Sequence, residues 1–167
     1  MEKKYKLTEE SIKFALRTLY RIEALKDFRD VKKGDKGGFI EDEYNLSHDG
    51  NSWVYGNAMV YGNARVCDNA MVYGNAMVYG NAMVCGNAMV CDNIKIENNS
   101  DYIVFKNWWS SGRYFTWTRS NDMWKVGCFY GTGEELIKKA YKDSEKSGRE
   151  YERIVKYVEE IKKDNGK

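Results

Sequence analysis

The chain has 167 residues, with 27 basic against 25 acidic side chains and a formal net charge of +2. That length allows one ordinary domain or two small ones. No apolar run approaches the ~18 residues of a membrane span, and MEKKYKLTEE lacks the apolar core of a signal peptide, so a soluble, cytoplasmic protein is expected. Near-balanced charge without a Lys/Arg stripe disfavours polymeric DNA or RNA as a partner.

Residues 1–53 are read as an N-terminal cap and first coil. By pattern alone, 11–28 fits an amphipathic helix. The run LYRIEALKDFRDVKKGDKGGFIEDEYNLSHDGNSWVYGNA resembles the start of the YdcK-type hexapeptide proteins, at 19–22, 27–31, 37–40, 45–47 and 50–53. That resemblance favours strands closing the open end of a coil, where an unpaired strand edge needs a cover. Proteins of that family often carry a transferase label, which is an analogy of fold.

From 54 to 101 a six-residue phrase repeats without interruption. Val or Ile stands at 54, 60, 66, 72, 78, 84, 90 and 96, and Ala58, Ala64, Ala70, Ala76, Ala82, Ala88, Ile94 and Ser100 follow four residues later. Gly-Asn or Asp-Asn pairs between them suit tight turns, because Gly and Asn tolerate positive φ. A period of six matches neither a 3.6-residue helix nor a plain alternating strand. It resembles the hexapeptide-repeat left-handed parallel β-helix, so the expected fold class is mainly β: a left-handed β-helix carrying a small α+β C-terminal domain.

With three hexads per turn, residues 18 apart stack at roughly 4.8 Å. Asn57, Asn75 and Asn93 are expected to form one amide ladder, and Asn63, Asn81 and Asn99 another. Alternation sends Val inward and its neighbours outward. One face carries Trp53, Met71 and Met89 beside Tyr55, Tyr73 and Cys91; the second carries Met59, Met77 and Lys95 beside Tyr61, Tyr79 and Glu97; the third carries Arg65 and Met83 beside Cys67 and Cys85. Faces this apolar need a cover. The resemblance implies a homotrimer, with Tyr55, Met59, Tyr61, Met71, Tyr73, Met77, Tyr79 and Met89 as the interface. The chain's own basic tail is the alternative cover, and a host-protein groove a third reading.

The segment 102–167 changes character. Three strands are expected over 102–109, 114–119 and 123–130, with Ser-Ser-Gly and Ser-Asn-Asp as turns. Thr132-Gly133-Glu134-Glu135 reads as a capping box opening a helix to about 146, Ser147-Gly148 as its break, and 150–163 as a second helix. GCFYGTGEEL resembles a GCF-x-GT-x-EE module that recurs beside hexapeptide repeats in phage and prophage proteins. That resemblance implies a phage accessory role such as counter-defence, exercised in the host cytoplasm.

The hexapeptide acyltransferases that the repeat resembles use a histidine base near an extruded loop. Here 54–101 has no inserted loop, and the single histidine, His48, precedes it. A β-helix carbonic anhydrase needs three histidines around zinc. Cys67 and Cys85 stack, but no base stands by to activate them. No catalytic residue, cofactor or metal is predicted. The four cysteines, with no CxxC spacing, are read as reduced thiols, and His48 as part of the cap.

A binding role rests on 102–130, where ten aromatic residues accompany Lys106, Arg113, Arg119 and Lys125 against one acid, Asp122. Aromatic planes hold flat bases while guanidinium groups hold phosphate. The candidate ligand residues are Arg113, Tyr114, Trp117, Arg119, Trp124 and Lys125. The competing reading makes these aromatics the core of a small domain. The expected function is a non-enzymatic trimeric protein that sequesters a small anionic, nucleotide-type signalling ligand, an immune-evasion role. A protein-protein inhibitor or scaffold using the Met/Tyr faces, and an acyltransferase-like enzyme, are the alternatives.

Overall fold

The computed structural model describes residues 2–165, in two compact units that divide between Tyr102 and Ile103. The first unit opens with a β-hairpin, β1 (Tyr5–Phe14) and β2 (Arg17–Ala24), so 11–28 is mostly strand and not helix. In β2, Leu19, Ile22 and Ala24 are buried, and a register shift between Arg21 and Glu23 breaks strict alternation. Gly37 and Gly38 lie within β3 (Lys36–Ile40), and a Cβ at Gly37 would lie 2.5 Å from Ile22 and 2.6 Å from the Val54 carbonyl. Only glycine allows the hairpin to seat that closely. Arg21 pins it there, donating to the carbonyls of Gly37 and Gly56 at 2.7 and 3.0 Å.

The solenoid continues in two-residue strands, β4 (Trp53–Val54), β5 (Met59–Val60), β6 (Arg65–Val66), β7 (Met71–Val72), β8 (Met77–Val78), β9 (Met83–Val84), β10 (Met89–Val90) and β11 (Lys95–Ile96). They stack as parallel columns, β3-β5-β8-β11, β4-β7-β10 and β6-β9, giving a β-solenoid of about three turns. Met59 pairs with Met77, Trp53 with Met71 and Arg65 with Met83, the expected register. Every Val or Ile from Val54 to Ile96 is buried, and so is the second column, Ala58, Ala64, Ala70, Ala76, Ala82, Ala88 and Ile94. Each such Val contributes about 1.5–3 kcal/mol if fully transferred from water.

Three details depart from the simple repeat. In the first coil the stacking interval is twenty residues, Phe39 on Met59 and Leu46 on Val66, so two extra residues bulge out before Trp53. At the far end Ser100 is exposed, because Asn99–Asp101 forms a 3-10 turn whose Asp101 carboxylate accepts from the Glu97 and Asn98 amides. Trp53, expected on an outer face, is buried in edge-on contact with Tyr5 and Phe28.

Of the amide ladders, Asn63 donates to Asn81 at 3.2 Å and Asn51 to Asn69 at 3.0 Å, whereas Asn99 accepts from the Met83 amide instead. The reading of all four cysteines as reduced thiols is corrected: Cys67 and Cys85 are joined in a disulfide, with Cα atoms 4.7 Å apart. Parallel in-register stacking brings their Cβ atoms within bonding reach.

The second unit has four strands where three were expected, β12 (Tyr102–Lys106), β13 (Tyr114–Thr118), β14 (Met123–Val126) and β15 (Phe129–Gly131). The segment 123–130 splits because Gly127, at φ 55°, turns the chain back on itself. The first strand stops at Lys106, short of the two tryptophans. The capping box is formed, Thr132 accepting from the Glu135 amide, and α1 (Gly133–Asp143) follows. The break comes at Ser144, and α2 (Glu145–Asn165) runs through Ser147 and Gly148 without interruption. Phe115, Trp117, Trp124, Val126, Leu136, Tyr151, Val155 and Val158 make this unit's core.

Candidate functional site

After β12 the chain makes a loop that Asn107 organises. Its backbone amide donates to the Arg113 carbonyl at 2.9 Å, closing the loop, and its side-chain oxygen accepts from the Ser110 amide at 3.0 Å. Asn107 is fully buried, and its Nδ2 has no hydrogen-bond partner among the described residues. The loop thereby presents Trp108 and Trp109 to solvent, 74% and 42% exposed, with their rings edge to face at 5.1 Å. The pair offers large, amphipathic ring surface to solvent.

Arg113, at the loop's far end, lines a cleft of about 570 Å³ with Phe129, Tyr130, Lys139 and Asp143. Gly127 and Cys128, at the turn between β14 and β15, also line it. Two cations and one carboxylate face it, so its formal balance favours an anion. Phe129 and Tyr130 are half-buried and offer ring surface.

The six sequence-derived candidates divide. Arg113 lines the cleft. Trp117 and Trp124 are 4% and 1% exposed and belong to the core, with Trp117 Nε1 donating to Asp122 at 2.8 Å. They offer no free ring face, because α1 and α2 cover that side of the sheet. Tyr114 lies on the opposite side, with the Lys106 ammonium 5.5 Å above its ring. Lys125 is half-buried and in register with Thr116 and Tyr130. Arg119 is exposed just beyond β13. The structure thus brings together Arg113 with Tyr130 and Lys139, and separates the two core tryptophans from them. Trp108 and Trp109 were missed as site residues; a Trp pair directly before Ser-Ser-Gly was the signal for a turn.

In the solenoid unit, all eight proposed interface residues are half-buried within the chain. Tyr61 and Tyr79 stack at 5.3 Å with 7° between planes, and Tyr55 meets Tyr73 edge-on at 6.4 Å. The N-terminal segment reaches both faces: Phe14 packs 5.6 Å from Tyr61, and Tyr55 donates to Asp30 at 2.9 Å. Burial raises the Tyr61 and Tyr55 hydroxyl pKa values, so both stay protonated donors. A second cleft, of about 630 Å³, is lined by Arg17, Glu41, Tyr61, Asn63, Tyr79 and Asn81. Glu41 already holds Arg17 at 2.8 Å and the Gly62 amide at 2.7 Å.

His48 sits in the bulge of the first coil. Its Nδ1 accepts from the Lys4 amide at 3.2 Å, and its ring stacks on Tyr5 at 4.3 Å. Glu43 lies 3.7 Å from Nε2, and its hydrogen bond with Lys3 holds its carboxyl below the usual range. This cluster joins the cap to the coil.

Residues 54–66, 64–80 and 70–86 match the family model of the YdcK beta solenoid repeat. The solenoid therefore carries YdcK-like repeats. No curated protein matches the chain. No helix among the described residues is long and apolar enough to cross a membrane.

Proposed function

We infer that the chain is a non-enzymatic binding protein whose second unit takes a small anionic, nucleotide-type ligand. The observation that carries this reading is the Trp108–Trp109 pair held in solvent by the same loop that ends at Arg113. An exposed indole is a platform for a nucleobase, worth about 1–3 kcal/mol per stacked base. Arg113 and Lys139 in the adjoining cleft supply the phosphate partners.

The same reading treats the solenoid as a left-handed hexapeptide coil, three copies of which pack through their Met and Tyr faces as a homotrimer. It assigns the protein a phage-encoded counter-defence role in the host cytoplasm, sequestering an immune signalling nucleotide; the support for that is the GCFYGTGEEL stretch. Isothermal titration with cyclic and ADP-ribose-derived nucleotides tests it. Binding weakened at least ~10-fold by Arg113→Ala and by Trp108→Ala is expected, at ~1.4 kcal/mol per decade. Undiminished binding in both variants, or no binding by the parent, rejects the site.

A second reading, a protein-protein inhibitor or scaffold, is favoured by the half-exposed Tyr61–Tyr79 stack. It requires that Tyr61→Asp abolish capture of a host protein.

A further inference from the structure

The third solenoid face differs from the other two at one column. Where those carry Tyr55 over Tyr73 and Tyr61 over Tyr79, this one carries Cys67 over Cys85, fixed in register by β6 and β9. The next residue, Asp68, stands where most hexads have Gly, at φ 56°. A non-glycine residue there costs about 1 kcal/mol, so its side chain needs a use. Its Oδ2 accepts from the Gly86 amide in the following coil at 2.9 Å, which carries the carboxylate down beside Cys85. The two sulfurs and one Asp68 oxygen all lie within 4.8 Å of one another, and none of the three residues is buried.

We propose that, when the disulfide is reduced, Cys67, Cys85 and Asp68 form a three-ligand site for a thiophilic divalent cation such as zinc, with its fourth position open to water. Tetrahedral zinc with bonds of ~2.3 Å to sulfur and ~2.0 Å to oxygen places ligand atoms roughly 3.3–3.8 Å apart. Cα atoms 4.7 Å apart accommodate a sulfur pair at that spacing after rotation about the Cα–Cβ bonds, without moving the backbone. The ladder that holds both strands supplies the rigidity, and Asp68 is oriented by its bond to Gly86. The hexad Cys91-Asp92-Asn93 provides a comparison within the chain. Its cysteine stacks under Tyr73 and not under a second thiol, so the ligand set is incomplete there.

The chemistry is exclusive. Two equivalents of a small thiol break the Cys67–Cys85 bond and leave as one disulfide, giving two protein thiols; cation binding then releases their two protons. The oxidised chain has no thiolate at this place to offer. The site is therefore available only under reducing conditions.

The test is a cobalt(II) titration of the full chain, reduced with a phosphine and freed of metal, followed by displacement with zinc. One cobalt per chain, with a near-ultraviolet thiolate-to-cobalt absorption, is expected. The absorption is lost in Cys67→Ser and in Cys85→Ser, persists in Cys91→Ser and Cys128→Ser, and is absent from the oxidised protein. Asp68→Asn keeps a side chain that tolerates the left-handed turn and is expected to weaken binding at least ~10-fold. No absorption in the reduced parent overturns the proposal. So does absorption that survives Cys85→Ser or oxidation.

Discussion

The Lys4 ammonium, on a side chain with no exposed surface, donates to the Ser52 carbonyl at 2.8 Å and to the Ser52 hydroxyl at 3.2 Å. It ties the N-terminus to the bulged first coil. Burial, reinforced by repulsion from Lys26 and opposed by Asp49, lowers its pKa to about 8. Between pH 8 and the unfolded value of 10.5 the unfolded chain binds more protons, so stability rises with pH across that window. Urea unfolding is expected to show a gain of ~2 kcal/mol between pH 8 and about 9.5. Above about pH 10, Tyr5 acts in the opposite sense: burial raises its pKa, so the folded state keeps a proton that the unfolded state loses, and stability falls. Lys4→Met is expected to remove the rise below that point.

Reduction of the Cys67–Cys85 disulfide opens an 18-residue connection. In the chain-entropy account, closing a loop of that length stabilises by ~3 kcal/mol. Thermal unfolding of the first unit is therefore expected to shift down on reduction, by the same amount as in Cys85→Ser. Cys91→Ser lies outside the disulfide and is expected to show the same downward shift on reduction as the parent.

Tyr102 finishes the third column. Its hydroxyl donates to the Met83 carbonyl at 2.8 Å and accepts from the Cys85 amide at 3.4 Å, occupying ladder positions that no further strand fills. Tyr102→Phe leaves those groups to water or to another chain's edge. A loss of ~1 kcal/mol in denaturant unfolding and an increase in concentration-dependent light scattering are expected.

Gly148 lies directly beneath the Tyr141 ring, and an added Cβ would sit inside the van der Waals radius of that ring. Tyr141 is held there by its hydroxyl, which donates to Glu152 at 2.8 Å. Gly148→Ala improves intrinsic helix propensity by about 1 kcal/mol, yet it is expected to destabilise by ~1–3 kcal/mol through the clash. In Gly148→Ala/Tyr141→Ala the penalty of the glycine substitution is expected to vanish or reverse, which a double-mutant cycle reads directly.

Much of this architecture is decided locally. Each hexad meets a copy of itself one turn away, so the Val and Ala columns, the stacking interval and the outward Tyr and Met positions follow from the repeat alone. The Thr132 capping box is likewise complete within four residues. Other features depend on partners distant in the chain. Whether 11–28 is helix or strand is settled by pairing with β3 and by packing Ile22 against the first coil. Gly148 looks like a helix break until Tyr141 is found filling the space over it. Trp117 and Trp124 share the composition of a stacking site with Trp108 and Trp109. Two helices later in the chain, α1 and α2, cover the sheet face of the first pair, while Asn107 holds the second pair in water. Periodicity reports which residues share a face; only the tertiary structure determines what covers that face, because coverage is a long-range contact that no local pattern encodes.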